Sequence, residues 1–139
     1  MHVLETLIHC WTEQNVGLQP GCAKHEIEAT FSQTGSKAST DVISLYSAIG
    51  GMLEMENEAC WRLWSLTEIV VENSEPSPYG VQFSDHMIFS CRYRLKYETE
   101  SRSSVYVDYS DPKAPPRKLF NGVEEFLTAP ATEPGALLR

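Results

Sequence analysis

No run in this chain approaches the ~18 consecutive apolar residues of a membrane span, so no helix is expected to cross a bilayer. Basic residues are in deficit: 11 Lys and Arg face 19 Asp and Glu, a formal charge of -8. That field repels polyanions, which argues against nucleic acid and anionic membrane as direct partners. Cysteine is sparse, four in all, and the opening "MHVLETLIHCW" lacks the basic start and sustained apolar core of a secretory leader. Cys10, Cys22, Cys60 and Cys91 are therefore expected as free thiols in a reducing cytoplasm. A phosphate-binding loop is missing too, because "IGGM" at residues 49–52 has no GKS/T continuation and no strand before it.

What the chain does have is the material of a core. Hydrophobic residues make up 42%, with three Trp, six Tyr and five Phe, and 139 residues suit one domain over 1–139 with no repeat. Val3, Leu4, Leu7, Ile8 and Trp11 recur at helical spacing and predict a helix over 2–13. A second, over 23–34, puts Ala23, Ile27 and Phe31 on one stripe and stops at Gly35. The third is the most regular: Ser39 or Thr40 caps it, and Val42, Leu45, Tyr46 and Ile49 fall on one face. Gly50 and Gly51 follow, and are expected to be a helix stop and a tight turn.

"CWRLW" at 60–64 reads as a short strand, and "SLTEIV" as a short helix with Ser65 and Glu68 in a capping box. Residues 72–80, "ENSEPSPYG", hold two prolines and no period, and are expected to form the most mobile loop. "MIFSCRYRLK" and "SVYVDYS" alternate with period two and are expected to pair as a hairpin, with "DPKAPPRK" a loop beyond them. Asn121 is expected to cap a closing helix, and the tail 129–139 to fray. Helices at both ends with strands between them predict an α+β fold.

Few clusters of reactive residues meet the geometry that their chemistry needs. Cys10, Cys22 and His25, with His9 nearby, are spaced C-x11-C-x2-H, which is not a zinc-site pattern, so no metal and no cofactor are expected. Ser84, Asp85 and His86 are consecutive; in an extended chain they point to alternate faces and cannot form a catalytic relay. Arg92, Arg94 and Lys96, with Tyr106, resemble a nucleic-acid platform only loosely, and read better as charged cover on a sheet face. Asp85, His86 and Asp108 remain as the basis of an alternative reading, a small hydrolase or ligand-binding enzyme with a pocket at the sheet end.

A partner surface is better supported. Residues 1–70 carry nine acids and three bases, against ten and eight in 71–139. Glu54, Glu56 and Glu58 concentrate that excess and are expected to receive something basic, although solvation alone would also use them. Of Trp61 and Trp64, alternation sends one to the core and leaves the other for the rim, where aromatic anchors concentrate binding energy. Glu54, Glu56, Glu58, Trp61 and Trp64, bordered by the Gly50 and Gly51 turn, are thus the expected partner-binding set.

The order of "STDVISLYSAIGG", "LWSLTEI", "MIFSCRYRL", "SVYVDYS" and "LFNGVEEFL" resembles the successive signatures of the SUKH superfamily, Smi/Knr type, over about residues 20–128. Two departures stand out: "STDVI" lacks the proline common at the start of the main helix, and Gly50 replaces a common asparagine. The resemblance implies an α+β fold with a mixed, mostly antiparallel sheet and helices on one side. It also implies no shared catalytic residues and a protein-binding role, in bacteria as immunity proteins that neutralise toxins, often nucleases. A scaffold or structural subunit is the third reading, and a homo-oligomer stays open.

Overall fold

Residues 2–14, 16–53, 61–86 and 91–132 of the computed structural model are described here, with side chains except those at 2, 3, 61 and 129–132. The helical periods become α1 (His2–Glu13), α2 (Lys24–Gln33) and α3 (Thr40–Ala48). They bury Leu4, Leu7 and Trp11, then Ile27 and Phe31, then Val42, Leu45 and Tyr46. At the start of α2 the Glu26 carboxylate accepts the Ala23 amide at 3.3 Å, and Gly35 ends it at φ 82°.

The glycine pair after α3 does something other than expected. Ile49, extended at φ -137°, closes the helix, and the chain runs directly into β2 (Ile49–Met52), all four residues of which are buried. Antiparallel to it lies β1 (Leu18–Pro20), making a two-stranded ribbon. A Cβ on Gly50 would stand 2.3 Å from the Pro20 carbonyl oxygen, and one on Gly51, where φ is +137°, 2.9 Å from the Ser65 amide nitrogen. Glycine is required because backbone presses on β2, not because the chain reverses there.

The larger sheet has the order β3 (Trp61–Leu63), β4 (Val81–His86), β5 (Cys91–Tyr97), β6 (Ser103–Asp108) and β7 (Arg117–Phe120), every pair antiparallel. β4 and β7 arise where no strand was expected. One face is apolar: Leu63, Phe83, Tyr93, Leu95, Val105 and Val107 are buried on it. Helix α5 (Val123–Thr132) packs there through Phe126, whose ring meets Phe83 at 5.5 Å, Tyr93 at 5.1 Å and Phe120 at 6.0 Å, edge to face. Burial of such a ring contributes about 2–3 kcal/mol. The fold is therefore α+β, with an antiparallel sheet.

One capping expectation also changes. The first amide of α5, Val123, donates to Asp41 Oδ2 at 3.3 Å, where a cap at Asn121 was expected. The Asp41 carboxylate also accepts the amides of Val42 and Ser103, at 2.9 and 3.2 Å, tying α3, β6 and α5 together. At the start of the 72–80 loop, Asn73 Nδ2 donates to the carbonyls of Ile69 and Gln82, and Asn73 Oδ1 accepts the Gln82 amide, each at 2.8 Å. Residues 133–139, the outer part of the expected frayed tail, lie outside the described residues.

Candidate functional site

The second face of the sheet carries charge in a fixed order. Antiparallel register sets Arg62 on β3 opposite Asp85 on β4, Asp85 opposite Arg92 on β5, and Arg92 opposite Asp108 on β6. Signs alternate across four strands, so each charge has an opposite neighbour. Helix α4 (Leu66–Glu72) adds two more acids one turn apart. Glu68 accepts a bidentate pair from Arg62, at 2.9 and 2.6 Å, and Glu72 stands 3.5 Å from Arg92. Arg94 Nε donates to Asp108 Oδ2 at 2.7 Å and its Nη1 to the Gly80 carbonyl at 2.9 Å, which fastens the end of the 72–80 loop.

Trp64 is the hub of this network. Its indole Nε1 donates to Asp85 Oδ1 at 2.6 Å, the Arg92 guanidinium stands over its ring at 5.6 Å, and its carbonyl accepts the Tyr46 hydroxyl at 2.9 Å. With no exposed surface, Trp64 cannot touch a partner, so its expected place in the receiving surface is withdrawn. Trp61 faces His86 in the edge pairing; its side chain, and all of Glu54, Glu56 and Glu58, lie outside the described residues.

Electrostatics follow these contacts. The hydrogen bond to Glu68 raises the Arg62 guanidinium above its ordinary value. Burial alone would raise Glu68, but hydrogen bonds from Arg62 and Ser65 outweigh it and hold that carboxyl below the usual range. Burial pushes the Cys91 thiol and the Tyr93 phenol up, so neither is an activated nucleophile.

The groups of the alternative enzymatic reading do not converge. Asp85 and Asp108 stand two strands apart, about 10 Å, with Arg92 between them. His86, 3% exposed, pairs in register with Cys91, one residue on from Asp85 and so on the opposite face. Ser84 Oγ donates to the Arg62 carbonyl at 2.7 Å. His9 pairs with Glu13 at the surface, Cys10 is exposed, and Cys22 is half-buried with its thiol pushed up by burial. Among the described residues no group of three or more His, Cys, Asp or Glu could hold a metal ion. A cleft of about 430 Å³ opens between Asp41, Arg102 and the start of α5, where Glu124 and Glu125 also line it; the Asp41 carboxylate there is already committed to backbone amides.

Sequence reading missed Glu68 and Glu72 as partners of Arg62 and Arg92. A usable signal was there, since basic residues at alternate positions of "CRYRLK" call for acids on the adjoining strands and helix. No protein-family model matches the chain, and no curated protein matches it either.

Proposed function

We propose that this chain is a non-enzymatic, cytoplasmic protein-binding domain of SUKH type, acting as an immunity protein that neutralises a cognate toxin. A basic nuclease is the class that fits its charge of -8. The observation that carries the reading is the outer sheet face, where the half-buried Arg62, Arg92 and Arg94 are each held by a carboxylate beside or beneath them. A face so ordered before binding loses little side-chain entropy when a macromolecule docks. The same pairing counts against proton transfer, which needs a group free to reach its substrate.

The test is calorimetric titration with the C-terminal toxin domain encoded next to this gene, repeated after Glu54, Glu56 and Glu58 are changed to Lys. Binding weakened by about a hundredfold is expected, as several charges at one interface are reversed. An unchanged affinity would remove the acidic loop from the interface. Absence of any complex would remove the immunity role and leave a scaffold or structural subunit.

A further inference from the structure

The β5 to β7 side of the outer face has the opposite sign from the rest of the molecule. Residues 91–120 hold seven basic and four acidic side chains within a chain of charge -8. Arginines there are engaged: Arg92 with Gln82 and Glu72, Arg94 with Asp108. Lys96 and Lys118, by contrast, enter no ion pair among the described residues. Tyr106 on β6 stands between them, opposite Lys118 and two residues from the Ser104 that faces Lys96. The Lys96 Nζ lies 5.7 Å from the Tyr106 ring centroid, and the Tyr79 ring comes to 6.1 Å from the other ring. Lys118 is exposed, and Lys96, Tyr79 and Tyr106 are half-buried.

Lysines at a sheet edge often serve only to keep a strand from pairing with its own kind, and Lys118 on the terminal β7 would serve that way. Lys96 has no edge to guard, because β5 is paired on both sides. We propose that Lys96, Tyr106 and Lys118, with Tyr79, form a docking surface for an extended acidic segment of a partner protein. The two lysines are two strands across and two residues along from each other, about 12 Å between Cα atoms. In an extended peptide, residues i and i+4 point the same way and are about 13 Å apart, with i+2 between them. The matching segment thus places a carboxylate on each lysine and an aromatic side chain on Tyr106. A polynucleotide fits less well: its phosphates would run beyond the patch, past a Debye length of about 8 Å, into the field of an acidic protein.

None of Lys96, Tyr106 and Lys118 is among the residues changed in the toxin titration, so failure of this surface leaves the proposed function standing. The test is a titration of the isotope-labelled full chain with the peptide SETFTES, followed by backbone amide resonances. Saturable shifts at Lys96, Tyr106 and Lys118 are expected, with affinity reduced about fivefold by Lys118→Glu, an exposed change that spares the fold. The Lys96→Glu/Lys118→Glu pair should weaken it further, and SKTFTKS should not bind. Absence of saturable shifts there, indifference to Lys118→Glu, or equal binding of SKTFTKS would overturn the proposal. Tighter binding of an oligothymidylate at the same amides would also overturn it, and would assign the face to single-stranded nucleic acid.

Discussion

The two faces of the five-stranded sheet are built from the same strands and held by different physics. On the inner face, Phe83, Tyr93, Leu95, Val105, Val107 and the helical Phe126 lose all or nearly all contact with water. Their contribution scales with area and needs no partner of a particular kind. On the outer face Trp64 and Asp85 are just as enclosed, at 0% and 2% exposure, but by a guanidinium, a carboxylate and an indole N–H that must meet at set distances. Loss of a group leaves a void on the first face and a stranded partner on the second. The inner face thus supplies the bulk of stability, while the outer face supplies a single fixed arrangement of charge.

The largest effect should come from Phe126→Ala, which empties the space among Phe83, Tyr93 and Phe120. A loss of about 3–5 kcal/mol is expected in urea unfolding. Next is Asp85→Ala, which strands the Trp64 indole N–H and deprives Arg62 of a neighbour at 3.7 Å. About 2–3 kcal/mol should be lost, and pairing the change with Trp64→Phe should recover part of it, because the orphaned donor goes too. If Asp85→Ala leaves the midpoint where it was, the outer network is decoration and the comparison fails. Gly50→Ala is expected to cost about 1–3 kcal/mol through overpacking against the Pro20 carbonyl. A helix stop in a free turn would tolerate that change.

Local signals carried the helices and the strands β5 and β6. Helical spacing located α1 to α3 and marked Leu4, Leu7, Trp11, Ile27, Phe31, Val42, Leu45 and Tyr46, which are buried, although Ala23 is exposed and Ile8 half-buried, and "CRYRLK" alternates buried and half-buried positions as its period implied. β4 was missed because its register shifts between Gln82 and Ser84, so that Phe83, Ser84, Asp85 and His86 are buried in succession and the period of two is lost. β7 is four residues long, exposed at its start, and follows two prolines, so "RKLF" looks like loop. The glycine pair was misjudged because its requirement comes from Pro20 and Ser65, contacts that only the folded chain brings together. The site has the same limit: charges at 62, 85, 92 and 108 become one row only through strand register, which no single segment encodes.

The smallest effect, and the sharpest division between the faces, lies in pH. The Arg62 to Glu68 pair on the outer face is a titratable clamp, of a kind that the packing of Phe83, Tyr93 and Phe126 on the apolar face does not include. Because Glu68 has a lower value folded than unfolded, the unfolded chain takes up its proton first as pH falls. Its contribution is therefore complete above the ordinary glutamate value of about 4.3 and disappears as pH drops through the folded value beneath it. Glu68 keeps 34% of its side-chain surface in water, so screening limits the contribution to about 0.5 kcal/mol. In Glu68→Gln, the decline in stability between pH 6 and pH 3 should shrink by about that amount, measured by urea unfolding at each pH. An identical acid limb in the two proteins would mean that solvent already screens the clamp, leaving the enclosed Trp64 and Asp85 contact to hold the outer face alone.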